Sequence, residues 1–377
     1  MTTTGTGSQR LRLGTRGSRL ALTQSGQVAE ALMAAGGGGA AAAAGKASEG
    51  SGGLDIDLVT VRTDGDGDRT PLRQLGGVGV FAARLRHALL DGEVDLVVHS
   101  FKDLPTQPVE GLEVICVPPR EDPHDALCAR DGLTLATLPD GARVGTGSPR
   151  RAAQLLAARP DLEMVDLRGN VPTRLARVRG LEAVGVGTDE PVAPSRADAA
   201  GDLDAVVLAL SGLRRLGLEH CASEVLDLET MLPAPAQGAL AVEARAGEGS
   251  AALARAAAAL DDEPTRLAVT AERALMARLG AGCAAPVGAW AHLSGGEQEQ
   301  RVLALRAVVT SLDGGKEVGC ELSAELPEAD GGPDTHGNAV AQAVRAAEAL
   351  GARAAEVLLE DGAAEIVDLH ANKPRRD

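Results

Sequence analysis

A hydroxyl, an ammonium and a carboxylate stand within four residues at Ser100, Lys102 and Asp103, directly after the apolar run Leu96-Val97-Val98 and just before Pro105. Such a run suits a buried parallel strand, and open α/β sheets do their chemistry beyond the carboxyl ends of these strands. Lys102 is one of four lysines in 377 residues, and Phe101 is one of two phenylalanines. An ammonium is a compact, adjustable point charge where a guanidinium is a rigid fork. A lysine in an arginine-rich chain therefore marks a position with a particular electrostatic task. The alternative reading is an ordinary strand ending in a solvated charge pair.

Four other expected strands end in anion-binding chemistry. Residues 11–14 lead to Thr15-Arg16-Gly17-Ser18, and residues 143–146 lead to Gly147-Ser148-Pro149-Arg150-Arg151. Residues 163–167 lead to Arg168-Gly169-Asn170, and residues 205–210 lead to Ser211-Gly212-Leu213-Arg214-Arg215. Ser148 suits a helix N-cap with Pro149 at the first helical position, so free N–H groups and the positive helix end would face the same crevice. Any one of these arginines could be a plain surface side chain. Four such strand ends in a chain of net charge −16 point instead to a site for an anion. Guanidinium forks bind carboxylates bidentately, which suits a substrate with several carboxylates, and the same geometry also accepts phosphate or sulfate. Cys283 lies in the small-residue stretch Gly280 to Gly288, where a thiol can be reached by a reagent or a cofactor. A small apolar filler is the other reading of that cysteine, and no histidine is near it in sequence.

These residues need α/β elements to position them. Strands are expected at 11–14, 54–63, 112–117, 126–129, 143–146, 163–167 and 205–210, and helices at 19–33, 81–90, 149–158 and 172–178. Strands alternating with helices at this spacing argue for parallel βαβ units. Residues 118–123 and 231–238 read as linkers out of and back into a first domain. Residues 36–53 and 181–201 read as surface insertions, and 64–79 as a lid-like loop. Helices at 251–260 and 265–279, strands at 289–293 and 303–310, and a last helix at 339–359 describe a separate α+β portion.

Composition sets limits on function. Apolar residues make up 44% and charged residues 24%, ordinary values for a globular protein of two or three domains. The acidic balance and the near absence of aromatic residues argue against nucleic acid and anionic membrane as partners. Five scattered cysteines without a CxxC pair imply free thiols in a reducing compartment and no zinc site. No apolar run is long enough to span a bilayer and no signal-like segment opens the chain, so a cytoplasmic location is expected.

The segments Gly14-Thr15-Arg16-Gly17-Ser18-Arg19-Leu20-Ala21-Leu22, Val98-His99-Ser100-Phe101-Lys102-Asp103-Leu104-Pro105 and Gly145-Thr146-Gly147-Ser148-Pro149-Arg150-Arg151 together resemble the porphobilinogen deaminase family. So do Leu167 to Leu175, Gln237-Gly238-Ala239 and Gly282-Cys283-Ala284-Ala285-Pro286-Val287-Gly288, which follow in the family's order. The resemblance implies an α/β fold with two periplasmic-binding-protein-like doubly wound domains and a smaller C-terminal α+β domain. It divides them as 10–117 with 236–258, then 118–235, then 262–377. It also implies a transferase that condenses four porphobilinogen molecules head to tail into hydroxymethylbilane, with release of ammonia, in tetrapyrrole (haem) biosynthesis.

Under that resemblance Asp103 is the catalytic carboxylate, and Cys283 holds a covalent dipyrromethane cofactor through a thioether. Lys102, Ser148, Arg150, Arg151, Arg168, Arg174 and Arg215 would bind the cofactor. Arg16, Ser18, Ser100, Phe81 and Gln237 would bind substrate. No metal is implied. The implied partner is porphobilinogen, with a monomeric enzyme handing its product to uroporphyrinogen-III synthase. The family often carries lysines in the lid-like loop where this chain has Gln74 and Val78, and Arg69 or Arg73 is the available substitute.

Two other classes share the expected fold. A solute-binding protein would normally carry a secretory signal and gives Cys283 no purpose. A regulatory effector-binding domain should carry a DNA-binding module, and neither a helix-turn-helix pattern nor a basic face is evident.

Overall fold

The computed structural model describes residues 9–37, 53–61, 80–181, 201–282, 284–295, 299–327 and 333–369, without the side chains of 9, 80–81 and 333–337. The chain begins with β1 (Gln9–Thr15), α1 (Arg19–Ala35), β2 (Leu54–Thr60), α2 (Val80–Leu90), β3 (Leu96–Ser100) and β4 (Leu112–Cys116). It continues with β5 (Asp125–Ala129), β6 (Arg143–Gly145), α3 (Pro149–Ala158), β7 (Glu163–Val165), α4 (Val171–Leu175), β8 (Ala205–Ala209), α5 (Leu210–Arg215) and β9 (Glu224–Val225). Next come β10 (Leu240–Arg245), α6 (Ala251–Leu260) and α7 (Glu263–Leu279). The last elements are β11 (Val287–Ser294), β12 (Val302–Thr310), β13 (Glu317–Glu325), α8 (Pro333–Glu360) and α9 (Ala363–Ile366).

Two five-stranded sheets follow one plan. The first runs β2-β1-β3-β10-β4 and the second β7-β6-β8-β5-β9. In each, the first three strands are parallel, and the fourth is antiparallel to both of its neighbours. The first sheet is covered on both faces, which is the doubly wound form expected from the sequence. Leu96 and Val98 pack with Val28 and Leu32 of α1 and Ala256 of α6, while Val97 packs with Leu85 and Leu89 of α2. Alternation along a strand sends successive side chains to opposite faces, so a strand covered on both sides reads as unbroken apolar sequence.

The described residues form two compact units. One gathers the residues up to 61, 80–120 and 239–266, and so holds the first sheet. The other gathers 121–238 and the residues from 267 onward, with the second sheet and a three-stranded antiparallel sheet β11-β12-β13. The small sheet packs its alternate residues Leu303, Leu305, Ala307 and Val309 against α7 and α8. Those helices touch at Gly351, where a Cβ would sit 2.0 Å from the Ala271 carbonyl oxygen.

Three described strands lie outside the expected elements: the two-residue β9, β10 and β13. β10 is Leu-Ala-Val-Glu-Ala-Arg, whose alanines and single carboxylate hide a strand that is buried over its first five residues. β13 carries glutamates at 317, 321 and 325 on its exposed side, a pattern of low strand propensity. The expected strand at 163–167 ends at Val165, and the helix expected at 172–178 is the short α4. The insertions and the lid-like loop, with Arg69, Arg73, Gln74 and Val78, lie outside the described residues.

Candidate active site

The parallel strands explain why the polar motifs gather. In the first sheet β1 and β3 end on the same edge, bringing Arg16 and Ser18 to the side that carries Ser100, Lys102 and Asp103. In the second sheet β6, β7 and β8 end on one edge, which carries Ser148 with Arg150 and Arg151, then Arg168, then Arg215.

At the end of β3 the chain turns into a single 3₁₀ turn, Phe101–Asp103, with Phe101 buried beneath it. Burying Phe101 and Leu104 leaves Lys102 half-buried and Asp103 exposed. Among the described residues the Asp103 carboxylate has no hydrogen-bond or ion-pair partner, so it is open to a ligand. Ser100 exchanges hydrogen bonds with the amide of Gln24 at 3.1 and 3.2 Å. Gln24 is a site residue that motif reasoning missed. It sits at the head of the Gln24, Val28, Leu32 row that α1 turns to the sheet, and a polar residue in an apolar row was the available signal. Ser18 caps α1, accepting from Ala21 N–H at 3.3 Å.

Ser148 caps α3 as expected, accepting from Arg151 N–H at 3.5 Å, with Pro149 in the first turn. Arg150 and Arg151 are buried and converge on Asp125, the first residue of β5. Arg150 Nη2 donates to Asp125 Oδ2 at 2.7 Å, and Arg151 Nη2 and Nε donate to Oδ1 at 2.7 and 3.0 Å. Burial alone would raise the Asp125 carboxyl. The two guanidinia outweigh it and hold the group well below the usual carboxylate range. Asp125 was also missed. An aspartate opening an otherwise apolar buried strand was its signal.

Gln237 lies at the junction of the two linker segments. It is fully buried, donating to the Pro123 carbonyl at 2.7 Å and to Asp125 Oδ1 at 2.8 Å. Its amide joins the two linker segments and supports the arginine pair. Arg215 is spent partly on the same junction, donating to the Gly238 carbonyl at 2.6 Å, and burial lowers its pKa. Gly238 has φ +89°, and a Cβ there would meet the Glu121 carbonyl oxygen at 2.1 Å. Arg174 bonds the Gly169 carbonyl at 2.7 Å, and Arg168 is half-buried beside it in sequence.

Cys283 and the side chain of Phe81 lie outside what the structure describes. The flanks of Cys283 are clear: α7 ends at Leu279, Gly280 takes φ +63°, and Ala285 N–H bonds the Gly282 carbonyl at 2.9 Å. Among the described residues no group of three or more His, Cys, Asp and Glu could hold a metal.

Two family models cover nearly all of this architecture. The "Porphobilinogen deaminase, dipyromethane cofactor binding domain" matches residues 11–252, and the "Porphobilinogen deaminase, C-terminal domain" matches residues 266–360. The chain belongs to the porphobilinogen deaminase family. Its relatives include the porphobilinogen deaminase of Cutibacterium acnes, 50% identical over 369 residues, 97% of this chain and 99% of that protein. The Micrococcus luteus porphobilinogen deaminase is 50% identical over 373 residues, 94% of this chain and 93% of its own. That of Thermobifida fusca is 47% identical over 356 residues, 94% of this chain and 95% of its own.

The donor set fits the family's polycarboxylate cofactor. The second sheet's edge offers several guanidinia and a helix N-terminus, and Arg150 Nε is buried without a hydrogen-bond partner. A porphobilinogen deaminase needs such donors, because each pyrrole carries two carboxylates.

Proposed function

We propose that this chain condenses four porphobilinogen molecules head to tail, releasing ammonia at each addition, and hydrolyses the product off as hydroxymethylbilane. The observation that carries this reading is the open carboxylate of Asp103 at a strand end shared with Arg16, Ser18, Ser100 and Lys102, in a chain of this family. Cys283 would hold the dipyrromethane, which would supply a nucleophilic pyrrole carbon for chain growth. Loss of ammonia from an aminomethylpyrrole needs a protonated leaving group and leaves a cation spread over the substrate ring. Asp103 stabilises that cation and handles the ring proton after the new bond forms.

The other roles follow from charge. Lys102, Ser148, Arg150, Arg151, Arg168, Arg174 and Arg215 hold the cofactor's carboxylates. Arg16, Ser18, Ser100 and Phe81 bind the incoming substrate, the charged and hydroxyl groups taking its acetate and propionate. Asp125 and Gln237 orient the arginine pair. We assign the product to uroporphyrinogen-III synthase, and take the enzyme to work as a cytoplasmic monomer of three domains: 10–117 with 236–258, 118–235, and 262–377.

Intact mass tests the assignment. Active protein should carry an adduct of two pyrrole units, absent from Cys283→Ala, and porphobilinogen should add mass in single-pyrrole steps. Active protein with an unmodified mass would remove the cofactor and Cys283 from the scheme.

A further inference from the structure

Beneath the Ser100–Asp103 turn lies a buried ionic group that the scheme above does not use. Glu243 of β10 accepts from Arg86 of α2 through both carboxylate oxygens, at 2.8 to 3.1 Å. Its Oε2 also lies 3.2 Å from His99 Nε2. The three side chains are 3%, 10% and 5% exposed.

The register explains how one carboxylate reaches both partners. On β10, Glu243 stands opposite Val97 and Ala241 stands opposite His99, so Glu243 meets His99 diagonally on the face covered by α2. On the other face, Ser100 is held by Gln24 of α1. The last two residues of β3 are thus fixed from opposite sides by polar bonds, immediately before Lys102 and Asp103. At the strand's start, Asp95 receives Arg12 and Arg245, where solvent reaches the pair.

Stability is a poor reason for this group to exist. A buried ion pair replaced by apolar residues of similar volume is often neutral or more stable, because desolvation consumes the Coulombic gain. What an apolar contact lacks is direction. The bidentate fork and the third bond to His99 allow one arrangement of α2, β10 and β3, whereas apolar side chains would tolerate sliding.

We propose that Glu243 is a positioning residue for the reaction: through Arg86 and His99 it fixes the end of β3, and with it Asp103, in register with α2. This rests on the role given to Asp103. Reaction geometry is unforgiving, and a shift of about 1 Å caused far from the chemistry can cost roughly a hundredfold in rate.

The test is the double variant Arg86→Met/Glu243→Leu, compared with Arg86→Lys and Asp103→Asn in cofactor-loaded enzyme verified by mass. The double variant should melt at or above the parent temperature, with kcat lower by about tenfold or more and KM within about threefold. Arg86→Lys keeps the charge but loses the fork, and its kcat should fall between the two. Parental kcat in a folded double variant overturns the proposal. So does failure of that variant to fold, which would make the group a stability element. Asp103→Asn reports separately on the underlying reading: parental turnover there removes Asp103 from catalysis whatever the double variant does.

Discussion

At the scale of single residues, two carboxylates divide the labour by environment. Asp103 is exposed and open to a ligand, while Asp125 is fully buried and saturated by Arg150, Arg151 and Gln237. Asp103→Asn should lower kcat by about a hundredfold or more and leave the melting temperature close to the parent's, since no described contact is lost. Asp125→Ala should do the reverse first. It strands two buried guanidinia, and removal of one partner from a buried pair typically costs about 3–5 kcal/mol, read from the shift in denaturant midpoint. Parental stability in Asp125→Ala would show that Arg150 and Arg151 find other partners. The two positions also differ in legibility. Asp103 announced itself by its neighbours, whereas Asp125, Gln24 and Glu243 each look like a stray polar residue in an apolar element until folding gives them partners.

At the scale of elements, the termini of helices and strands carry the chemistry. The N-cap of α3 sits on the edge that presents Arg150 and Arg151, so Ser148→Ala should reduce stability by up to about 1 kcal/mol and weaken cofactor retention, read by thermal denaturation and by mass after dialysis. Unchanged retention would confine Ser148 to capping. Pro149 and Ser148 made this helix start legible to within a residue, and the apolar run of β3 and the all-apolar β8 were equally plain. Legibility failed where tertiary contact overrides local pattern. β10 is one-third alanine and becomes a strand because neighbours bond both its edges, and β13 keeps its glutamates because its outer side faces solvent. Gly351 was silent in sequence, and only the approach of α7 to α8 gives it meaning. Gly351→Ala should push those helices apart and lower the melting temperature, and an unchanged value would mean that they can shift without cost.

At the scale of the whole molecule, buried carboxylates and thiols set its response to solution conditions. Asp125 and Glu243 both lie below their ordinary values: burial opposes ionisation, and their cationic partners prevail. A depressed carboxyl adds stability above its unfolded value, about pH 4, and loses it as pH falls through the folded value. Melting temperature should therefore drop steeply on the acid side. In the Arg86→Met/Glu243→Leu variant that limb should flatten, and an identical slope would exclude Glu243 from acid stability. Burial pushes the Cys116 and Cys128 thiols up to about 12, so both should resist alkylation at neutral pH until the chain is unfolded.

The interleaving of the two five-stranded sheets also governs how the chain can be made. Among the described strands β4 has only β10 as a hydrogen-bonded neighbour, and β10 lies more than a hundred residues later. A nascent chain on the ribosome that has reached residue 120 possesses β1 to β4 but lacks β10, the strand that closes the inner edge of β3 and pairs with β4. Both must wait for the whole second sheet to be synthesised. Such delayed, long-range pairing is slow and leaves sticky strand edges in the meantime. A truncated product ending near residue 120 should aggregate, and chaperone demand during translation should peak between the emergence of β4 and that of β10.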